Sequence, residues 1–516
     1  MVTKISHEQS RRNSARRRRR VQARHRQAGH WGPRSEPMLT SRKIHYEIGG
    51  NGEATPFGGL FAMHRLVTRL GLVSAIDTDL HLLKIHMPYH ESDHVLTLAY
   101  SVLTGGTRLE DVDRLRCDVP LMNGLGAALL PDPTTTGDFL RRFAEADIVG
   151  LMEAINSVRP QLWQRRGADL FAEVVFLDAD GTIVPTTGEL KQGMDISYKG
   201  IWGYAPLLIT LANTREVLYL VNRPGNAPSH LDAAGWIDKA IALVAPHAKR
   251  VCVRGDTDFA LTAHFDRWAE QVDFVLGTDN IAALRTRAEA LPATAWKRLH
   301  RPVPQSKTGA RRARRHNRKR QVVAERGYLN LRLNHEEVAE FTYQPGKCQR
   351  AYRVVVVRKN ISRMKGEQAL IDEIRYFFYF TTYPADTHTP TQVVELANQR
   401  CDQENIVGQL KSGINALHAP VDDLHSNWAY MLIAALAWNI KSWHAMMMHR
   451  TDDRHRFIRI EFKRFLDTVI RIPATVAARA RSIVVRLAAH TVNIDRFFTA
   501  WASTERTRFN PATGYG

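Results

Sequence analysis

The spacing of apolar residues changes character twice along the chain. From about residue 58 to 166 it is helical. Leu60, Met63, Val67 and Leu70 share one face, and Val95, Leu96, Ala99, Val102 and Leu103 share another. The Pro- and Thr-rich stretch 131–136 interrupts this pattern, and Thr135 with Asp138 three positions on predicts a new helix start. A small helical domain follows from this reading. Such domains often bind DNA, yet no recognition helix stands out.

At Phe171 the pattern becomes strand-like. FAEVVFLDADGT reads as a buried strand running into Asp178 and Asp180 and ended by Gly181. The stretch 204–225 reads as two strands joined at Asn213-Thr214. A helix is predicted over 231–244, and a strand over 250–253 leads into Gly255-Asp256-Thr257-Asp258. A helix over 260–270 and a strand over 272–276 complete a mixed sheet flanked by helices. Strand-like segments at 328–333, 339–343, 352–357 and 376–381 then predict a β-rich insertion.

After the insertion comes TPTQVVELANQRCDQENIVGQLKS, residues 389–412. Thr389 suits a cap, Pro390 the first helical position and Gln392 a capping box. No Pro or Gly interrupts this helix before Gly408. Arg400, Glu404 and Lys411 lie four and seven positions apart, so one acid sits between two bases on one face. An apolar helix over 427–448 and a basic helical tail close the chain. The methionines at 446–448 read as packing. The linker-like cluster 50–56 precedes the helical region.

Charge sharpens this picture through its location. The 516 residues carry a formal +20. Residues 1–30 hold ten Lys/Arg against one Glu, and residues 305–320 hold eight with no acid, which leaves only +3 for the rest. Two discrete basic segments suggest phosphate-binding arms, the second containing Arg311, Arg312, Arg314 and Arg315. Cys117, Cys252, Cys348 and Cys401 are far apart and show no Cys-x-x-Cys or Cys/His metal spacing, which fits a reducing cytoplasm. Arg11-Arg12 is followed by more arginine and no apolar stretch, so it is not read as a twin-arginine signal. The run 429–438 is too short to span a bilayer.

Three acids suggest chemistry. Asp180 ends the first strand, Asp256 follows the fourth, and Glu404 lies on the later helix. Functional side chains in open α/β sheets gather where strands end. Massed carboxylates need a cation, and hard divalent ions, Mg²⁺ above all, fit oxygen ligands. Asp178 and Asp258 are rivals at the two strand ends. Asp180 is preferred because Gly181-Thr182 offers it a tight exposed corner, and Asp178 on the same strand face is left as an outer ligand.

Taken in order, strand-DADGT, strand-RGDTDF, a β-rich insertion and Arg400-x3-Glu404-x6-Lys411 resemble the bacterial DDE transposases, most closely the insertion sequence 1380 group related to insertion sequence 4. GTRLEDVDRLRCD, DPTTTGDFLRRF and KGIWGYAPL add to the similarity. The family's Tyr-x2-Arg-x3-Glu-x6-Lys signature is matched except at Ala397, where Tyr is expected. The resemblance spans roughly residues 58–444. It implies an α/β fold: an RNase H-like mixed-sheet core interrupted by a β-rich insertion, with an N-terminal helical domain and a helical C-terminal segment.

The expected division is a disordered basic arm (1–40), a helical DNA-binding domain (58–166), the catalytic core in two parts (170–290 and 385–450), the insertion (291–384) and a helical basic tail (451–516). The resemblance further implies Asp180, Asp256 and Glu404 as catalytic metal ligands for two Mg²⁺ ions, which Mn²⁺ can replace. Arg400 and Lys411 would grip DNA backbone. The implied partners are terminal inverted repeats and target DNA, engaged by a homodimer on paired ends. The implied setting is the bacterial cytoplasm at the nucleoid, with no membrane. An inactive DNA-binding relative and an RNase H-like nuclease are the alternatives. Trp202 and Tyr204 could stack on an exposed base, with packing preferred, and solvent-facing or capping roles are preferred over metal ligation for His418 and His425.

Overall fold

Strand β1, Val174–Gly181, is the apolar run predicted from the sequence, and the main sheet is built on it. Beside it lie β2, Leu207–Leu211, and β3, Glu216–Val221, both buried at every position. Asn213 makes their hairpin a specific structure. Its side-chain oxygen accepts the Phe176 N–H at 2.9 Å, and its nitrogen donates to the carbonyls of Leu170 and Val174 at 3.0 and 3.1 Å. Helix α1, Ala233–Val244, follows and packs on β1, β2 and β3. Strands β4, Arg250–Gly255, and β5, Asp273–Thr278, complete the core.

The core order is β3-β2-β1-β4-β5. β2 runs antiparallel to its neighbours β1 and β3, whereas β4 runs parallel to both β1 and β5. This is the RNase H-like mixed α/β arrangement expected. The computed structural model describes residues 54–86, 88–188, 190–301, 318–366, 368–479, 482–487 and 493–509, together with Arg19 and Ala23. The basic arm expected over 1–40 and Arg311, Arg312, Arg314 and Arg315 therefore lie outside the described residues, apart from Arg19 and Ala23.

The insertion extends this sheet. The short strand β6, Lys297–Arg298, and three long strands, β7 (Leu329–Tyr343), β8 (Tyr352–Lys365) and β9 (Gln368–Thr381), give nine strands ordered β6-β7-β8-β9-β5-β4-β1-β2-β3. The two segments predicted at 328–333 and 339–343 are one strand with an irregularity between Leu333 and His335. Charged residues hide its continuity in the sequence, and they are paired across strands. Glu337 accepts from Arg358 at 2.6 Å, and Glu336 pairs with Lys359 at 3.4 Å.

Helix α2, Pro390–Gln399, covers the sheet over β5, β7, β8 and β9. Its Val393 and Val394 pack in a core with Cys252, Val275, Val338, Val355, Val357 and Tyr383. The helix predicted over 260–270 is shorter: a 3-10 turn Thr262–His264 and a single helical turn, Phe265–Trp268.

The chain divides into two compact units. The sheet belongs to the one formed by Gly167–Ser412 and Leu417–Met431. The other combines Met1–Arg166, Gly413–Ala416 and Leu432–Gly516. Its described helices include Leu60–Arg69, Leu72–Asp79, Glu91–Thr104 and Glu145–Ser157. The start predicted at Thr135 lies earlier. Asp132 caps Pro133–Leu140 and accepts the Thr135 N–H at 2.8 Å. The long apolar helix is Leu424–Met446.

The tail is helical only in part. Ala474–Arg479 and Ser482–Leu487 form a hairpin, and Ala54–Thr55, from the expected linker, pairs with it. Gly59 is required nearby, since a Cβ there would stand 1.6 Å from the Val469 carbonyl oxygen.

Candidate active site

The register of β1 against β4 creates the site. The strands are parallel, with Asp178 opposite Arg254 and Ala179 opposite Gly255. One residue further on, the two chains present Asp180 and Asp256. Asp180 is still held in β1, paired to Leu208 of β2. Asp256 has left its strand and caps the turn Thr257–Phe259, accepting the Asp258 N–H at 3.1 Å. Gly255 permits this turn to fold back, because a Cβ there would lie 2.6 Å from that of Phe259.

The rivals at the two strand ends have other partners. Both oxygens of Asp178 accept from Arg254, at 2.7 and 2.9 Å, and the carboxylate is 1% exposed. The outer-ligand role expected for Asp178 is replaced by a buried, mutually neutralising pair. Asp258 is exposed and contributes its backbone N–H to Asp256. The exposed corner expected at Asp180 is half-buried instead, because the Thr182 N–H continues the ladder to the Pro206 carbonyl at 3.0 Å.

The third acid arrives on a helix that is not continuous as predicted. The capping box at Thr389 and Gln392 forms, with the Thr389 N–H 2.8 Å from Gln392 Oε1. The helix is then interrupted at Arg400, and α3, Cys401–Gly408, continues it. Arg254 supplies the cause. Its Nη1 donates to the Leu396 carbonyl at 3.2 Å, the acceptor that the Arg400 N–H would use in an unbroken helix. Arg400 turns to the Ala397 carbonyl at 3.3 Å instead.

Gln403 then fastens α3 to the sheet. It is fully buried and donates to the backbone carbonyls of Asp178 and Leu208 at 2.9 and 3.3 Å. Asp402 adds a 3.2 Å ion pair to Arg215 at the β2–β3 hairpin. Glu404, next in the chain, is exposed. A π-turn, Gln409–Gly413, carries Lys411.

The electrostatics centre on Asp180. Burial raises its carboxyl to about 6, with Asp256 and Glu404 adding repulsion and Arg400 opposing. Burial also raises Asp256, again opposed by Arg400. Burial lowers Lys411, with Lys199 adding to the effect and Asp180 opposing it. Arg400 lies 3.4 Å from Asp180 Oδ2 with its side chain 14% exposed, and its Nη1 makes no hydrogen bond. In this structure Arg400 is turned to the acids.

The donor set suits a hard divalent cation: three carboxylates, of which burial holds Asp180 and Asp256 above the ordinary carboxylate range despite Arg400. The three are not drawn to one point. Among the described residues, the trio of His, Cys, Asp or Glu donors lying mutually within 4.8 Å is His86, His90 and Glu91. Asp256 and Glu404 both add repulsion at Asp180.

Sequence reasoning missed Gln403 and Arg254. Each carries a legible signal. Gln403 shares a buried helical stripe with Val407 and Leu410, and Arg254 ends an apolar strand beside one that contains Asp178. Of the aromatic pair, Trp202 is 54% exposed, whereas Tyr204 is buried and donates to the Gln192 carbonyl at 3.0 Å. His418 is exposed and His425 half-buried. Cys117, Cys252, Cys348 and Cys401 are all free thiols. Among the described residues no helix is long and apolar enough to cross a membrane.

Paired strand-end acids on an RNase H-like sheet, joined by a helix-borne glutamate, define a class of candidate phosphoryl-transfer site. The chain as a whole is narrower than that class. Residues 36–509 match the family model described as "Transposase DDE domain group 1", and the chain belongs to this family. No curated protein matches it. A solved structure titled "Cryo-EM structure of piggyBac transposase synaptic complex with hairpin DNA" superposes with a TM-score of 0.36 at 10% identity. That match covers 81% of this chain and 84% of the other, and at such a score it adds no weight to the assignment.

Proposed function

We propose that this protein cleaves the ends of a DNA insertion sequence and joins them to target DNA. Asp180, Asp256 and Glu404 hold two divalent cations, Mg²⁺ with Mn²⁺ able to replace it. Ions held there would supply the activation of a water or 3′-hydroxyl and the stabilisation of the leaving oxygen. The observation that supports the reading is the parallel β1–β4 register, which brings Asp180 near the end of one strand and Asp256 just past the end of the other, with Glu404 acting on the first.

The protein's own groups divide the work. Gln403 holds α3 against β1 and β2, and so fixes where Glu404 meets the strand ends. Arg400 and Lys411 lend positive charge around Asp180 and favour the approach of a phosphodiester. Arg311, Arg312, Arg314 and Arg315 add affinity that does not depend on sequence. Deleting 305–320 is therefore expected to flatten the salt dependence of DNA binding, and an unchanged slope would remove the segment from the interface. The substrates are terminal inverted repeats and target DNA in the bacterial nucleoid. The working form is a homodimer on paired ends, and the helical region 58–166 contributes to DNA binding. The affinity to the insertion sequence 1380 group is part of this proposal.

The test is strand cleavage of a DNA fragment carrying the repeats that flank the gene, with Mg²⁺, without it, and with Glu404→Gln. Metal-dependent nicking at the repeat boundary, lost in Glu404→Gln, is the expected result. Binding without cutting would favour an inactive DNA-binding relative. Cutting regardless of the repeats would favour a general nuclease.

A further inference from the structure

A second group of ligating side chains lies in the helical unit, where the sequence shows only LLKIHMPYHE. Glu91, the first residue of helix Glu91–Thr104, is a carboxylate with a side chain 2% exposed. Its Oε1 accepts the backbone N–H groups of Leu82 and Leu83, both at 2.9 Å. Its Oε2 is 3.0 Å from His86 Nε2. His90 lies with its ring centroid 4.2 Å from that of His86, the planes 24° apart. One donor atom from each of the three residues lies within 4.8 Å of the others.

We propose that His86, His90 and Glu91 form a metal site of their own, for a first-row divalent ion of the zinc class. The ion would clamp segment 82–91 to the start of helix Glu91–Thr104.

The donor chemistry separates this site from the acidic one. Two imidazoles and one carboxylate suit zinc and its neighbours, whereas Mg²⁺ prefers oxygen throughout. Tetrahedral ligands about 2.0–2.1 Å from zinc stand roughly 3.3 Å apart. The His86–Glu91 separation of 3.0 Å is already close to that spacing. The remaining closure falls to His86 and His90, whose rings are exposed and stacked on one another. Glu91 is the fixed member, because two backbone donors orient its carboxylate as outer-shell partners orient metal ligands.

A helix N-terminus repels cations, but here acids offset it. Asp93 accepts the His90 N–H at 2.9 Å, and Asp77 binds both the N–H and hydroxyl of Ser92 at 2.9 Å. Three protein ligands leave room for water. The rival arrangement is a protonated His86 paired with Glu91 and no metal.

The experiment uses the full chain, stripped with a chelator and held in excess Mg²⁺ to occupy the acidic site. Zn²⁺ is titrated against a chromophoric competitor. Wild type and a His81→Ala control are expected to take up one zinc per chain and to melt at a higher temperature with it. The His86→Ala/His90→Ala variant removes only exposed rings, so it is expected to keep its circular dichroism. It is also expected to lose zinc affinity by more than about a hundredfold and to show no zinc-dependent rise in melting temperature. Substituted Co²⁺ is expected to give intense visible absorption in wild type and not in the double variant. Equal zinc uptake by wild type and double variant would overturn the proposal. So would zinc that is lost in Asp180→Asn, or uptake weaker than millimolar.

Discussion

Two rungs of the same strand pair, with Ala179 and Gly255 between them, differ in their electrostatics. On the inner rung Asp178 faces Arg254 in a bidentate pair, almost wholly out of water. On the outer rung burial raises the carboxyls of Asp180 and Asp256 above the ordinary carboxylate range, and Asp256 and Glu404 add repulsion at Asp180. Two residues along one strand, the same side-chain type meets a bidentate arginine in one place and, in the other, a single 3.4 Å approach of Arg400 beside two further acids. The inner rung ties the two strands together and, through the Leu396 carbonyl, reaches the helix that is interrupted at Arg400 ahead of Glu404. The outer rung carries an electrostatic conflict that a divalent cation would relieve.

The largest expected effect separates the rungs by function. Asp180→Asn, Asp256→Asn and Glu404→Gln are each expected to lower metal-dependent strand cleavage by about a thousandfold or more, roughly 4 kcal/mol in the barrier, with DNA-end binding retained. A gel-based cleavage assay beside a binding assay reads this. Full activity in Asp180→Asn would move the catalytic role away from the outer rung.

Next in size is the loss of the inner pair. Arg254→Met leaves Asp178 buried without its partner, and a stability loss of about 3–5 kcal/mol is expected by denaturant unfolding. A loss below about 1 kcal/mol would mean that the inner rung does not need its charges matched.

The pH dependence sharpens the contrast further. Folding raises the Asp180 carboxyl to about 6 from an ordinary value of 3.8. Between these values the folded protein holds a proton that the unfolded chain releases, so metal-free stability falls as pH rises through that window. Asp180→Asn is expected to be the more stable protein at pH 8 by about 2 kcal/mol in chelator, and to lack this slope. Mg²⁺ affinity is expected to weaken by up to about tenfold per pH unit below about 6, as protons compete for the same oxygen. Calorimetric unfolding across pH, with and without metal, measures both.

The smallest effect concerns the link between the rungs. Gln403→Leu removes the donor to the Asp178 and Leu208 carbonyls. A stability loss of about 1–2 kcal/mol is expected, with a larger proportional loss in cleavage than in DNA binding because Glu404 loses its anchor. Equal losses in both assays would assign Gln403 to packing alone.

The core strands, their succession along the chain and the character of each are legible in the sequence. β-branched runs ending in Asp-Gly or Gly-Asp, a hairpin at Asn213 and a capped helix at Thr389 are local signals, and local signals survive in one dimension. It also placed an acid at each of two strand ends and one between two bases on a helix.

What it left open depended on pairing between distant residues. Alternation puts Asp178 and Asp180 on one strand face, and the Gly181-Thr182 corner alone favours Asp180 without showing what Asp178 does. The β1–β4 register gives one of them Arg254 as a partner, from 76 residues away. The break at Arg400 has no Pro or Gly to announce it, because the Leu396 carbonyl is claimed by that same distant arginine. The tail hairpin was read as helix for a similar reason. Its first strand pairs with Ala54 and Thr55, a contact across more than 400 residues. Propensity and periodicity act over one or two turns, whereas buried charges and unpaired strand edges are satisfied by whatever the fold brings beside them.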